Sequence, residues 1–415
     1  MTGSANPRLR ALEAFPVEHE GQQCIALRDP AGFTDQIAVL PPLLLDLVSL
    51  FDGEHSIAQI QDVMRGRHGE TPSADQIAAV VERFDRAGFL DSERFAARRL
   101  ALEDEFRRSP VRAASHAGAA YAGEPAELTA QIDAFFTGPD GPDHPESTPA
   151  AARASRSSGL NALIAPHIDF HRGGSTYGWA YKEILDRSDA DLYVILGTCH
   201  AGMADPFSVT LKPYDTPLGA VPVDREFYEG LAGRAGQDLL ASEPAHRREH
   251  SIEFQTVMLQ RLLGRRRPFT ILPVLASYLH EAIWRRGRPE ADARVPRFVD
   301  ALRDTIASSS RRVCLIAGVD LAHVGPRFGD AAPNTADSLA AVEAADRRML
   351  EPVVAADAGG FFASVAADGD ARRICGLSPI YTLLRLLPGS SGRLLRYTQW
   401  PDPEGAVTFC AVSYP

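Results

Sequence analysis

The sequence is poor in cysteine, in basic charge and in long apolar runs. Its five cysteines, Cys24, Cys199, Cys314, Cys375 and Cys410, are scattered, odd in number and lack any CxxC spacing. That argues against a disulfide framework and a zinc ribbon, and it suits reduced thiols in a cytoplasmic protein. No run of eighteen apolar residues is present, so no membrane span is expected. Residues Met1 to Arg10 are short and polar and lack the apolar core of a signal peptide. Lys and Arg number 43 against 54 Asp and Glu, a net charge of −11. This balance argues against a nucleic-acid partner, which calls for a basic face. The chain also has no G-x-S-x-G elbow and no P-loop, so serine hydrolase and nucleotide triphosphatase readings lack support. No internal repeat is seen.

What is present is an ordinary globular composition, 45% hydrophobic and 23% charged. At 415 residues two domains are expected. The boundaries are drawn at 1–95 for a small α+β domain, 96–109 for a linker helix and 110–415 for the larger domain.

In the first domain, GQQCIALRDP reads as a strand ending in a turn. Pro41 and Pro42 open a helix through LLLDLVSLF, stopped by Asp52-Gly53. Ser56 caps a second helix with Ile57, Ile60 and Met64 on one side. Ser73 caps a third with Ile77, Val80, Val81 and Phe84 in a stripe, ending at Gly88 before a short strand or wing at FLDSE. The pattern LVSLFDGEHSIAQI…VVERFDRAGFL resembles the PqqD-like winged helix that recognises leader peptides in peptide-modifying enzymes. A generic docking or dimerisation module is an equal alternative. ERFAARRLALEDEFRR reads as a charged connecting helix. TGPDGPDHPESTPAAARASRSS (137–158) reads as a mobile surface loop.

In the larger domain, NALIAPHI, DLYVILGTCH, PFTILPVLA and RRVCLIAGVDLAH are short apolar runs separated by helical stretches. The expected fold class is therefore α/β, a largely parallel sheet covered by helices on both faces. Ligand sites in such sheets lie at the carboxyl ends of the strands. His167, His200, Asp320 and His323 all fall just past a predicted strand.

Each of these has a plain alternative. His167 and His200 can ligate iron, copper or zinc through neutral imidazole, or serve as edge histidines that only hydrogen-bond. His250 follows Glu249 at a helix start, as a base, a substrate contact or a packing residue. His246 reads as a surface residue. Asp320 can orient His323 or accept backbone N–H groups. Cys375, before Gly376 and an apolar helix, is a soft ligand with a thiol pKa lowered by the helix N-terminus, or a structural cysteine.

Eight blocks then follow one another from about residue 110 to the C-terminus: ASHAGAAYAGEPAELTAQIDAFF, APHIDFHRGGSTYGWAY, LGTCHAG, TPLGAVPVDREF, EHSIEFQ, ILPVL, DLAHVG and CGLSPI. In this order they resemble the Memo family (AmmeMemoRadiSam system protein B), itself similar in fold to class III extradiol dioxygenases. The resemblance implies one metal on His167, His200 and Cys375, with Fe(II) favoured and copper the alternative. It implies that His250, Asp320 and His323 line the same cleft as catalytic groups. The implied activity is that of a dioxygenase-like oxidoreductase acting on a small molecule or a peptide. The alternative is a non-catalytic module binding a peptide or partner in that cleft. AMMECR1-like and radical-SAM proteins are implied as partners by analogy only. The chain departs from the family pattern at Ile168, Asp169, Phe170 and Ala201, and in its extra N-terminal domain. Cys375 also stands where ring-cleaving dioxygenases use a carboxylate ligand.

Overall fold

The structure, a computed structural model, describes residues 6–69, 72–143 and 159–415. Most of the loop expected at 137–158 lies outside the described residues. The chain divides into two compact units: residues 1–108 with Pro326–Asp330, and Ser109–Gly325 with Ala331–Pro415.

The N-terminal unit opens with an antiparallel sheet of β1 (Glu13–His19), β2 (Gln22–Arg28) and β3 (Ala38–Leu40), in that spatial order. Glu20 and Gly21 join β1 to β2 with φ of 52° and 78°. Positive φ at both positions gives the turn whose twist matches a tight hairpin. Only β2 was legible in the sequence, because β1 is half exposed along its length and shows no clean alternation.

Helices α1 (Pro42–Val48), α2 (Ile57–His68), α3 (Ala74–Ala87) and α4 (Glu93–Arg108) follow. Ser56 and Ser73 each close a full capping box, with Gln59 and Gln76 respectively. Gly88 ends α3 in the left-handed region. The unit's core gathers Leu27, Leu40, Phe51, Ile60, Met64, Ile77, Phe84 and Leu90. Among the described residues the FLDSE segment contributes one bridge, Leu9 to Leu90. It is cut short because the Ser92 hydroxyl accepts from the Phe95 N–H at 3.1 Å and starts α4.

The larger unit carries β4 (Ala162–Ala165), β5 (Leu192–Thr198), β6 (Phe207–Val209), β7 (Thr270–Ala276), β8 (Val313–Gly318), β9 (His323–Val324), β10 (Arg393–Trp400) and β11 (Ala406–Tyr414). Its helices are α5 (Pro125–Thr137), α6 (Phe170–Arg187), α7 (Arg225–Ala235), α8 (His250–Leu263), α9 (Leu279–Trp284), α10 (Arg294–Ser308), α11 (Ala336–Val354), α12 (Ala358–Ala366) and α13 (Leu377–Leu386).

The sheet order is β10-β11-β4-β8-β5-β7-β6, with β9 paired to β11. The centre, β4-β8-β5-β7, is parallel, while β6, β11, β10 and β9 pair antiparallel. The sheet is thus mostly parallel at its core and flanked by helices, as the apolar runs predict. Successive residues of a strand face opposite sides. Tyr193, Ile195, Cys314 and Ile316 therefore pack with Ile132, Tyr177, Phe254 and Val257 of α5, α6 and α8. Val194, Leu196, Leu315 and Ala317 pack with Leu231, Phe298, Leu302 and Leu383 of α7, α10 and α13. Each buried Val, Leu, Ile or Phe side chain among these contributes roughly 1.5–3 kcal/mol. Register aligns the strand ends: Ala165 and Gly197 both lie beside Gly318.

Candidate metal centre

Those aligned ends carry the site. His167 lies two residues past β4, His200 two past β5 and Asp320 two past β8. His250 arrives from elsewhere, as the first residue of α8. Two glycines admit it. A Cβ on Gly318 would lie 2.5 Å from the Ser251 carbonyl oxygen, and one on Gly197 would lie 2.5 Å from the Ser251 hydroxyl. With no side chain at either strand end, the first turn of α8 settles onto the sheet. There the Ser251 hydroxyl donates to the Thr198 carbonyl at 2.8 Å.

His167, His200 and His250 come together with one ring nitrogen from each within 4.8 Å of the others. The ring centroids of His200 and His250 are 4.5 Å apart and stacked; His167 stands 4.9 and 5.1 Å from them, edge on. His167 is buried, while the side chains of His200 and His250 keep 30% and 28% of their exposure.

The Nδ1 side of each ring is held by the protein. His167 Nδ1 donates to the Gly318 carbonyl at 2.9 Å. His200 Nδ1 donates to Glu249 at 3.0 Å, and His250 Nδ1 lies 3.4 Å from the same carboxylate oxygen. In the neutral tautomer that these partners select, the lone pair is on Nε2. Carboxylate or carbonyl backing of this kind fixes a metal-ligating imidazole and raises its basicity. Burial, then the neighbouring His200 and His250, keeps His167 well below the usual histidine range. Burial, then His200, brings His250 down to about 3. Neutral imidazoles are the form a cation binds. The donor set therefore fits a metal of the iron, copper or zinc kind.

Glu249 is the brace beneath two of the rings. Burial alone would raise its pKa, but His200, His250 and hydrogen bonds outweigh burial and hold it well below the carboxylate range. Its oxygens accept the backbone N–H of His200 at 2.8 Å and of Ser251 at 3.0 Å.

Cys375 meets the cluster at His167, with its Sγ 3.2 Å from His167 Nε2. The sequence suggests a thiol acidified by a helix N-terminus; the structure shows the reverse. Burial, then the charge of Asp320, pushes the Cys375 thiol well up. Asp320 accepts the backbone N–H of His167 at 3.0 Å and of Ile168 at 3.3 Å. Burial raises it to about 7. Asp320 is thus tied to the turn after β4, and the His323 Nδ1 donates to the Leu321 carbonyl at 3.1 Å. Burial brings His323 down to about 4. His246 is not a surface residue. It is fully buried, its Nε2 3.1 Å from the Ser208 carbonyl oxygen and its Nδ1 3.2 Å from the Tyr214 hydroxyl.

Sequence reasoning passed over Arg112, His116, Tyr121 and Glu253, which form a buried network behind His250. A signal existed: in EHSIEFQ, Glu249 and Glu253 are four apart at a helix start, and two buried acids one turn apart each need a partner.

Comparison with known proteins decides the family, for a model described as Memo-like protein matches residues 112–415. This chain belongs to the Memo family. A MEMO1 family protein of Aquifex aeolicus (strain VF5) is 27% identical over 411 residues, 98% of each chain. One from Methanothermobacter thermautotrophicus is 29% identical over 299 residues, 71% of this chain and 95% of the relative. One from Thermus thermophilus is 24% identical over 343 residues, 82% and 93% of the two chains. The Aquifex match takes in the N-terminal unit, so that departure is shared with another Memo family protein. No helix among the described residues is long and apolar enough to cross a membrane.

Proposed function

We propose that the larger unit holds one metal ion and works as a dioxygenase-like oxidoreductase on a small molecule or a peptide. The observation that carries this is the convergence of three imidazoles from three separate elements, two of them braced by one buried carboxylate. A burial-favoured network of this cost has a ready use as a ligand shell. Iron is favoured over copper, and either would supply open positions for O₂ and substrate.

His167 and His200 are ligands in both arrangements the residues allow, and His250 or Cys375 supplies the third. Where His250 is not a ligand, it or His323 is placed to move a proton, and Asp320 holds the His167 turn. Anaerobic Fe(II) titration tests the reading. One ion per chain is expected, lost in His167→Ala and His200→Ala. Loss in His250→Ala with retention in Cys375→Ala assigns three histidines; the opposite pattern assigns the thiolate. Equal binding by wild type and His200→Ala would sink the metal reading and leave a peptide-binding cleft in its place. Oxygen consumption by the iron-loaded protein with candidate substrates tests the activity.

A second reading concerns partners. The N-terminal unit has an open pocket of about 450 Å³ lined by Arg83, Arg86 and Arg98, with Asp35 the one carboxylate among them. In a chain of net charge −11 this concentration of guanidinium groups supports recognition of an acidic peptide segment. The AMMECR1-like and radical-SAM proteins are the partners to try first. Full-length protein carrying Arg83→Glu and Arg98→Glu should lose a partner that wild type captures; unchanged capture would refute the role.

A further inference from the structure

The blocks ASHAG and EHSIEFQ meet behind the histidine cluster, and Arg112 lies at their junction. Its guanidinium has five N–H donors, and all are engaged. Nε donates to the His246 carbonyl at 3.0 Å, and Nη2 to the Glu249 carbonyl at 2.7 Å and to Ser115 Oγ at 3.1 Å. Nη1 donates to the Ala113 carbonyl at 2.8 Å and to the Glu253 carboxylate. The side chains of Arg112 and Glu253 are both fully buried.

The backbone of Arg112 is anchored as well. Its N–H donates to the Pro213 carbonyl and its carbonyl accepts from Asp215, each at 2.8 Å. The Tyr214 ring lies 5.0 Å below the guanidinium, and its hydroxyl meets His246. Glu253 in turn accepts the backbone N–H and Nδ1 of His116 at 3.0 Å each. The His116 ring stands 5.5 Å from that of His250.

We infer that Arg112 is a positioning residue for the metal centre. It clamps the main chain on both sides of the turn, at His246 and Glu249, and so sets where α8 begins. That start fixes the Glu249 carboxylate under His200 and aims His250 into the cleft. Arg112 touches neither cleft nor ligand atoms and acts through Glu249 and His250. The inference rests on the metal-site reading for its consequence, and on metal-free geometry for its cause.

Lysine at this place keeps the charge opposite Glu253 but cannot reach two carbonyls and a carboxylate together. Full-length Arg112→Lys is compared with Leu302→Ala, a core variant remote from the site that supplies a matched loss of stability. Each is read by Co(II) titration, by the visible spectrum of the Co(II) form, and by histidine side-chain NMR of the metal-free protein. Arg112→Lys should stay folded by circular dichroism, bind Co(II) about 10–100-fold more weakly, change the cobalt spectrum and move the His200 and His250 ring signals. Leu302→Ala should lower the melting temperature and leave those readouts in place. A folded Arg112→Lys protein with wild-type affinity, spectrum and ring signals would overturn the inference while the metal reading stands. If wild type itself binds no Co(II) or Fe(II), the metal reading falls, and the ring signals still decide whether Arg112 positions the turn.

Discussion

Glu249 and Asp320 are both buried carboxylates that accept two backbone N–H groups beside a histidine, yet they are driven in opposite directions. Glu249 is held well below the ordinary range, whereas Asp320 rises to about 7. The difference lies in their company. Glu249 faces two imidazoles, and a ring N–H of His200 reaches its oxygens. Asp320 has the His167 ring at 3.7 Å, and that ring's nitrogen faces the Cys375 sulfur. One side of the site is therefore a fixed anion under two imidazoles. The other is a pair of groups, Asp320 and Cys375, that burial pushes towards their protonated forms. Burial sets the default direction, and the number of donors decides whether it is reversed.

The largest test breaks the anionic side. Glu249→Ala should weaken metal binding by about 10–100-fold, measured by titration, while Asp320→Asn should weaken it far less. Equal losses in the two would erase the distinction between the sides. Next, Gly318→Ala drives a methyl group against the Ser251 carbonyl and should cost about 1–3 kcal/mol in denaturant unfolding. It should also loosen the cluster, because α8 can no longer seat. A variant as stable as wild type would mean that the seat is not set by that contact.

The third test is pH dependence of the metal-free protein. Asp320 has a folded pKa of about 7 against 3.8 for the free group. The native state therefore holds a proton that the unfolded chain has already released. Its contribution is complete below about pH 4 and is lost as pH rises towards 7, with a slope on the order of 1 kcal/mol per pH unit. Asp320→Asn should remove that slope from urea-melt stabilities taken between pH 4.5 and 7. An unaltered profile would place the proton elsewhere. The smallest test couples the two sides. The Thr198 hydroxyl, at the end of β5, donates to the Cys375 carbonyl at 3.0 Å. Thr198→Val should cost about 1 kcal/mol and alter the Cys375 side more than the His200 side, as read by thiol reactivity.

Much of this was legible beforehand. Unbroken apolar runs announced the parallel strands, and the rule that ligands gather at their carboxyl ends pointed to His167, His200 and Asp320. The serine caps at Ser56 and Ser73 were readable because a capping box is a local contact. What was not legible depends on distance in the chain. Nothing near His246 signals burial; the residues that enclose it, Ser208 and Tyr214, come from another segment. The rise of the Cys375 thiol likewise comes from burial against Asp320, 55 residues away in the chain. Local sequence supplied only the helix that follows it. The hairpin strand β1 escaped because a half-exposed edge leaves no periodic trace.

The alignment of Ala165, Gly197 and Gly318 across three neighbouring strands acts as a ruler. Each residue of a strand advances about 3.3 Å and reverses face. A single inserted residue within β5 would therefore carry His200 both out of reach and to the wrong side of the sheet. Insertions beyond the turns would leave all three ends level. In this chain, strand length is the quantity that keeps the site level, while an apolar residue exchanged for another of similar size within a strand leaves the ruler unchanged.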